Sequence, residues 1–385
     1  MSEFLLNEVC ELIVDCPHTT AYDEGKGFPL VRTPNIGKGR LVYDGMHRVS
    51  EDVYNKRNAR AIPQENDLIF AREATAGNVA LIQKGEKVCL GQRTVLIRPN
   101  QKKANPAFLT YFLLAPKQQY NLLSTANGAT VAHVNLPTIR NLKIDLPELP
   151  TQHRIATILS RYDSLIENYQ KQIKLLEEAA QRLYKEWFVD LRFPGHENTK
   201  IIDGVPEGWE KKPVDTIYSI KYGKNLSTKL ISENGKFPVY GANGVIGYYD
   251  KANCNEQVVL ITSRGNGSGD VLMTYHKDAF ITNNSFIVSP IEDYSYCQLP
   301  FTYQFLKNAN FRAVRTGAAQ PQLTNQSIHT VDVLLPSKDI IIDYCNKASY
   351  SNKKIIILRN QIRLLTEARD RLLPMLMSGE IEMKV

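Results

Sequence analysis

The chain has 385 residues, of which 43% are hydrophobic and 23% charged, and its net charge is +7. This length accommodates about two to three domains, and no apolar run approaches the ~18 residues that a membrane span needs. The N-terminus, MSEFLLNEVCELIVDC, mixes acidic with apolar residues and is not expected to be a signal peptide. Six irregularly spaced cysteines predict reduced thiols in a cytoplasmic protein, and the positive charge suits a polyanionic partner.

Residues 1–150 are predicted to form a first globular domain. This block is rich in Gly, Asn, Thr and Tyr and contains short strand-like runs such as DLIFA, NVALI and TVLIRP. It ends in the extended segment LKIDLP. We therefore expect a mixed α+β domain dominated by short strands.

A long amphipathic helix is predicted over residues 151–192, after the turn LPELPTQ, with Thr151 as its N-cap. Apolar residues recur in two heptad registers through this segment, which is typical of a coiled coil. We read its interface as the following residues: Ile155, Leu159, Tyr162, Ile166, Tyr169, Ile173, Leu176 and Leu183.

A second domain is predicted over residues 193–336. It opens with the linker FPGHENTKIIDGVPEGWEKK, continues with runs such as VVLITS and SFIVSP, and ends in VDVLLP. A second helix is expected over residues 337–378, followed by a tail over residues 379–385. Ser351 and Arg369 interrupt its seam, and Pro374 and Gly379 are expected to end it. Its predicted interface residues are Ile355, Leu358, Ile362, Leu365 and Leu372.

The two halves repeat one another. LLEEAAQRL, starting at Leu175, returns 189 residues later as LLTEARDRL, starting at Leu364, and NGATVAHVNLPTIRNLKIDLP returns at the same offset as TGAAQPQLTNQSIHTVDVLLP. Such a period is too long for a solenoid. It predicts an α+β fold with two similar strand-rich domains, separated by two long helices and related by pseudo-two-fold symmetry, and the most economical arrangement pairs the two helices with each other within the chain. The alternative is two separate surface helices, each docked on its own domain.

Familiar catalytic signatures are missing from the sequence. It contains no phosphate loop, dinucleotide-binding fingerprint, HExxH or GxSxG motif, and no Asp-Pro-Pro-aromatic tetrad of the kind that amino-methyltransferases use. Its seven histidines have no metal-ligand spacing. We therefore expect the chain to catalyse no reaction and to bind no metal.

Matched polar loops are the candidate binding elements. The runs DLIFAREATAGNV and VLITSRGNGSGDV align Arg72 with Arg264, and Gly77 with Gly269. Arg, Asn and Gln pair with base edges, and glycine allows close approach to phosphates. The alternative is ordinary strand-connecting turns. The candidate DNA-contacting residues are Arg72, Thr75, Asn78, Gln92, Arg93, Thr94, His133, Asn135, Arg264, Asn266, Ser268, Asn283, Asn284, Arg312, Arg315, Gln320 and Gln322.

Positive charge is distributed differently in the two copies. Arg312 and Arg315 are natural phosphate contacts in the second. The first copy has no arginines at the matching positions. Its candidate phosphate contacts are the basic runs RTPNIGKGR and NKRNAR. These runs fit a solvated surface equally well.

At this point the chain resembles a specificity subunit of a type I restriction–modification system. The resemblance rests on the two helix motifs, on FVDLRFPGHE and GVPEGWE, and on the order domain, helix, domain, helix. It implies that each domain recognises half of a split duplex DNA site. It also implies that the two helices form an intrachain antiparallel coiled coil, which spaces the domains and docks two methyltransferase subunits. S-adenosylmethionine, ATP and Mg would then be bound by the methyltransferase and restriction–translocase partners, in the prokaryotic cytoplasm at the nucleoid.

The alternative function is a coiled-coil scaffold whose two domains bind protein or carbohydrate. Salt dependence separates the two, because phosphate-dominated binding weakens log-linearly with salt concentration. An enzyme with an unfamiliar active site is the third reading.

Overall fold

A computed structural model describes residues 2–124, 133–317 and 320–381 of the chain. The chain divides into two compact units. Unit 1 consists of Met1–Glu167 and Arg363–Val385, and unit 2 consists of Asn168–Ile362. The unit boundaries fall within the two long helices, so each helix contributes residues to both units.

Unit 1 contains three small sheets. Its strands are β1 (Ser2–Leu5), β2 (Cys10–Asp15), β3 (Phe28–Val31), β4 (His47–Val49), β5 (Leu68–Ala71), β6 (Val79–Leu81), β7 (Cys89–Leu90), β8 (Thr94–Pro99) and β9 (Lys143–Leu146). An antiparallel sheet has the order β2-β8-β5-β6, a mixed sheet the order β4-β3-β7, and β1 pairs with β9. Its helices are α1 (Glu51–Arg57), α2 (Pro106–Leu114), α3 (Pro116–Ser124), α4 (Leu136–Arg140) and the first part of α5 (Leu149–Tyr184).

Unit 2 repeats this topology. Its strands are β10 (Ile201–Ile202), β11 (Val205–Pro206), β12 (Glu210–Pro213), β13 (Tyr218–Tyr222), β14 (Phe237–Gly241), β15 (Gly244–Tyr249), β16 (Val259–Thr262), β17 (Val271–Met273), β18 (Phe280–Ile281), β19 (Ser285–Pro290) and β20 (Asp332–Leu335). The sheet orders β13-β19-β16-β17, β15-β14-β18 and β12-β20 match those of unit 1. The helices of unit 2 are α6 (Leu299–Asn308), α7 (Asn325–His329), the second part of α5 and the first part of α8 (Lys338–Ser378), whose last part belongs to unit 1. The predicted α+β repeat is confirmed.

The central strand of each four-stranded sheet is buried on both faces. On β5, Leu68 and Phe70 pack into one hydrophobic cluster, while Ile69 packs into another on the opposite face. On β16, Val259 and Leu260 divide between two clusters in the same way. Because successive side chains of a strand point to opposite faces, an uninterrupted apolar run allows a layer to cover each side.

The two long helices pair within unit 2. Ile173 packs against Ile355 and Leu358. Closer to the C-terminal end of the first helical segment, the ring of Trp187 contacts the ring of Tyr344. Residue numbers therefore rise along one segment as they fall along the other. The pairing predicted from the heptads, and the antiparallel direction implied by the family resemblance, are observed in this unit.

An ion pair joins the helix segments of unit 1. Arg369 donates to the Asp163 carboxylate at 2.7 Å, and the Tyr111 hydroxyl donates to the same carboxylate at 2.5 Å. Burial, together with that carboxylate, raises the pKa of Tyr111 above its ordinary value. Arg369 therefore interrupts the apolar seam because it has a buried acidic partner.

The start of the first long helix and the effect of Pro374 differ from the prediction, whereas the second helix ends at Ser378 as predicted. Helix α5 begins at Leu149, so Thr151 lies inside its first turn and is not its N-cap. Pro150 is tolerated there because first-turn N–H groups have no partner within the helix. Helix α8 continues through Pro374 to Ser378, and Gly379, with φ +76°, follows it.

All six cysteines are free, and five of them are buried. Burial raises the pKa of Cys89 to about 11 and that of Cys10 to about 12. These two thiols are therefore overwhelmingly protonated near neutral pH and unreactive. Among the described residues, no helix is long and apolar enough to cross a membrane.

Candidate nucleic-acid interface

The loops after β5 and β16 occupy matching places, but their residue pairing differs from the sequence alignment. The N–H of Arg72 donates to the carbonyl of Arg93 at 2.9 Å, and the N–H of Ser263 donates to that of Asn284 at 2.8 Å. These acceptors immediately precede the matching strands β8 and β19. Arg72 therefore corresponds to Ser263, and the predicted match between Arg72 and Arg264 is wrong by one residue.

The two loops come back into register at their glycines. The N–H of Gly77 donates to the carbonyl of Ala71 at 3.0 Å, and the N–H of Gly269 donates to that of Thr262 at 2.8 Å. Both glycines have positive φ, +89° and +88°, which glycine adopts without strain. The second loop is therefore one residue longer between its strand and its glycine.

Arg72 lies beneath the surface of unit 1 and is only 8% exposed. Its Nε donates to the carbonyl of Val134 at 3.0 Å, its Nη1 to Asp15 at 2.7 Å, and its Nη2 contacts Nε2 of His133 at 2.9 Å. The guanidinium of Arg72 is used inside the protein, so direct contact between Arg72 and DNA stays a prediction that this arrangement does not favour. Arg72 supports the loop.

The polar contacts continue from Arg72 to the surface. Nε2 of His133 faces a guanidinium donor, so it accepts, and Nδ1 donates to Glu73 at 2.6 Å. Glu73 in turn pairs with Nη1 of Arg93 at 2.8 Å. The side chain of Arg93 is 61% exposed and its backbone has φ +63°. Arg93 is thus the solvent-facing end of an ordered chain of charges.

The other candidates of unit 1 are held by the protein to different degrees. Thr75, Asn78 and Gln92 are at least partly exposed, but each donates a side-chain hydrogen bond to a backbone carbonyl. Asn135 is half-buried before α4. Thr94 is fully buried and its hydroxyl donates to the carbonyl of Gly91, so its contact with DNA stays a prediction that its burial does not favour. Residues 125–132, which include the first six residues of the repeated segment NGATVAHVN, lie outside the described residues.

In unit 2, the exposed polar side chains gather around one backbone junction. Arg264 and Gln322 form a β-bridge, and Gln322 also pairs through its backbone with Thr316. Arg264, Gln322, Asn266 and the neighbouring Gln320 are exposed. Within the described ranges, no side-chain hydrogen bond or ion pair holds Arg264, so its guanidinium is available to a ligand.

The remaining candidates of unit 2 flank this junction. Arg312 is exposed and its Nε donates to Asp270 at 2.9 Å, and Arg315 donates to the carbonyl of Arg312 at 3.0 Å. Asn283 and Asn284 are half-buried before β19. Ser268 is fully buried and its hydroxyl donates to the carbonyl of Ser263 within the loop, so its contact with DNA also stays a prediction that its burial does not favour. Residues 318–319 lie outside the described ranges.

The basic runs of unit 1 divide between support and surface. Arg57 of NKRNAR is 5% exposed and donates to the carbonyls of Thr19 and Pro17, at 2.9 and 3.2 Å. Arg32 of RTPNIGKGR lines an open cleft of about 270 Å³ together with Gln92. This cleft includes Arg93, so the two arginines belong to one surface depression.

Sequence reasoning missed the supporting acids. Asp15 ends β2 and Glu73 follows Arg72, but neither stood out, since carboxylates are common in turns. The position of Asp15 opposite the start of β8 would have identified it as a partner for a nearby arginine. That position could be recognised only by knowing that β2 pairs with β8.

Comparisons with known proteins agree on one group. The family model "Type I restriction modification DNA specificity domain" matches residues 1–178 and 206–362. The MjaIX specificity subunit of a type I restriction enzyme from Methanocaldococcus jannaschii is 24% identical, over 94% of this chain and 88% of that protein. The HindI specificity subunit from Haemophilus influenzae is 22% identical, over 74% and 80%. The crystal structure of a type I S subunit from M. genitalium aligns with a TM-score of 0.59 at 18% identity, covering 97% and 95%. This last likeness concerns the fold alone.

Proposed function

Because the chain belongs to the type I restriction–modification DNA specificity family, whose role is sequence-specific DNA recognition, we propose that it reads a bipartite duplex site. Each unit recognises one half-site, and the bases between the half-sites are unspecified. The chain is a specificity subunit, which is non-catalytic, and the chemistry belongs to partner subunits.

The observation that carries this proposal is the exposed arginine at the same sheet edge in each unit. Arg93 precedes β8 in unit 1, and Arg264 follows β16 in unit 2. Each unit has its own four-stranded sheet, in which β8 pairs antiparallel with β5 and β19 pairs antiparallel with β16, so the start of β8 and the end of β16 lie at the same end of the equivalent sheets. Arginine pairs bidentately with guanine and also neutralises phosphate. A repeated scaffold with different side chains at its tips suits the recognition of two different sequences.

The long helices are proposed to recruit the partners. Two methyltransferase subunits would dock on them, and restriction–translocase subunits would join the assembly. S-adenosylmethionine, ATP and Mg would be bound by those partners. The exposed apolar residues Leu175 and Leu364, which begin the two copies of the repeated helix motif, are compatible with docking on these helices.

The test is to produce the full chain together with its methyltransferase subunits and to map every methylated adenine in the host genome. We expect a single motif with two specified parts and a fixed gap. Arg264→Ala should relax one part only and cost about 1–3 kcal/mol of binding to the intact site, since it removes one base contact. Lys251→Ala, another exposed cation of unit 2, is the control.

Equal weakening on all sequences would make Arg264 a phosphate contact. A contiguous motif, or none, would contradict the bipartite proposal. Measuring DNA affinity against salt tests the alternative scaffold that binds protein or carbohydrate. DNA binding should weaken log-linearly with salt, and the absence of salt-sensitive DNA binding would favour the scaffold.

A further inference from the structure

The residues immediately before β8 and β19 occupy the same structural position in the two units but differ in chemistry. The carbonyls of Arg93 and Asn284 accept the matching hydrogen bonds from Arg72 and Ser263. Gln92 and Asn283 precede them in the chain. The first unit thus carries Gln-Arg where the second carries Asn-Asn.

A second difference lies on the neighbouring strand. The N–H of Gly91 donates to the carbonyl of Val31 at 2.7 Å, as the N–H of Thr282 donates to that of Tyr240 at 3.0 Å. Val31 and Tyr240 are therefore equivalent. The residues that follow them are Arg32 in unit 1 and Gly241 in unit 2. The second unit consequently has no arginine at the positions equivalent to Arg32 and Arg93.

Arg93 is held ready for contact with a ligand. Its Nη1 pairs with Glu73, while within the described residues no hydrogen bond occupies the edge formed by Nε and Nη2. It borders the cleft that Arg32 also lines. Glycine is required at position 91, where the chain turns towards Arg93, because a Cβ there would lie 2.6 Å from the carbonyl oxygen of Val31. The free guanidinium edge faces solvent at a fixed place.

The second unit presents carboxamides at the same place. Asn283 and Asn284 are both half-exposed, and their backbones are fixed by hydrogen bonds to Ser263 and Lys224. Neither side-chain amide is bonded to another residue in the described part of the chain. The carboxamide of asparagine offers its NH2 group as a donor and its carbonyl oxygen as an acceptor, which match N7 and the N6 amino group of adenine. The arginine fork instead donates to O6 and N7 of guanine.

We propose, on the basis of the proposed function, that Arg93 and Asn284 are specificity-determining residues at equivalent positions and that each recognises a different base. Arg93 selects a guanine in the half-site of unit 1, with Arg32 beside it. Asn284 selects an adenine in the half-site of unit 2.

The experiment selects preferred sequences from a randomised duplex library, using the full chain assembled with its methyltransferase subunits. The variants are Arg93→Asn and Asn284→Arg. Asparagine tolerates the left-handed backbone of position 93, so the first variant retains the loop conformation. Lys84→Asn, which removes one exposed charge elsewhere in unit 1, is the matched control. Thermal unfolding of each variant checks the fold.

We expect Arg93→Asn to lower the preference for one guanine by about 10- to 100-fold and to leave the other half-site unchanged. Asn284→Arg should replace adenine by guanine at one position of the other half-site. Arg93→Lys should also lose much of the guanine preference, because lysine retains the charge but lacks the fork. Lys84→Asn should change neither half-site.

A wild-type assembly that enriches no motif would contradict the proposed function itself. A wild-type motif that survives unchanged in both variants would overturn the assignment of Arg93 and Asn284 and leave the function standing. A loss of affinity that is equal on every sequence would also overturn it, because both residues would then contact phosphates.

Discussion

Residues at the ends of strands decide what each unit presents to a ligand. Arg72 follows β5 and is buried among an acid, a histidine and a carbonyl, whereas Arg264, one residue further along the matching loop, is exposed. Burial of a guanidinium requires partners for its donors, and Asp15, His133 and Val134 supply them. The same residue type is therefore a support in one unit and a candidate contact in the other.

We expect Arg72→Ala to lower the free energy of unfolding by about 3–5 kcal/mol, because it leaves the Asp15 carboxylate without its buried partner. Chemical denaturation monitored by the fluorescence of unit 1 tyrosines, or by hydrogen exchange at β5, measures this loss. Arg93→Ala breaks a largely exposed pair with Glu73 and should cost no more than about 1 kcal/mol. If Arg72→Ala changed base preference without destabilising unit 1, the supporting role would be wrong.

The long helices pair through a narrow apolar seam. In unit 2, Ile173, Ile355 and Leu358 are at most 6% exposed, whereas Leu175, two residues from Ile173, is 60% exposed. Glu177 and Arg359 pair beside the seam at 2.8 Å, and the guanidinium of Arg359 lies 3.8 Å from the ring centre of Tyr275. Heptad spacing alone identifies the seam, since helical periodicity places every third and fourth residue on one face.

Ile173→Asp should separate the helix segments, because it places a charge in an apolar seam, and should cost at least about 3 kcal/mol. Leu175→Asp is the matched control and should change the stability of the isolated chain by about 0.5 kcal/mol or less. Ile362→Asp should act in the same direction as Ile173→Asp. Hydrogen exchange should show loss of protection at the two helices more than at β5 or β16. Assembly with the partner subunits should be impaired as well. Cooperative unfolding of the whole chain would contradict the independence of the two domains.

At the scale of the whole molecule, helix length is expected to set the gap between half-sites. Helix α5 has 36 residues, which corresponds to ~54 Å at ~1.5 Å per residue. Heptads preserve the seam, so length can be changed in steps of seven residues without altering which side chains pair.

Adding one heptad to both long helices should lengthen the unspecified gap by about three base pairs, since ~10 Å of helix corresponds to that length of duplex. The half-site sequences should stay the same. Affinity should fall as well, because three base pairs are about a third of a duplex turn and the DNA must twist or bend to compensate. Methylation mapping reads the gap directly. An assembly that still methylates only the original gap would contradict this prediction.

The sequence by itself determined the repeat, the α+β character and the pairing of two long helices with each other. These features depend on local periodicity and on recurrence along the chain, both of which are visible without coordinates. It also located the loops around Arg93 and Arg264, because Gly, Asn and Ser mark strand ends. It placed one helix start two residues late, at Thr151, since a proline in the first turn is tolerated.

Only the tertiary structure decided which loop residues are available to a ligand. Arg72 is buried because the folded sheet brings it to Asp15 and His133, partners 57 and 61 residues away in the chain. The pairing of Arg72 with Ser263 follows from backbone hydrogen bonds across strands, which an ungapped alignment of two equally long segments cannot reveal. Burial and register are properties of long-range pairing, whereas periodicity is local. The sequence therefore located the loops, and the fold selected the residues that face a ligand.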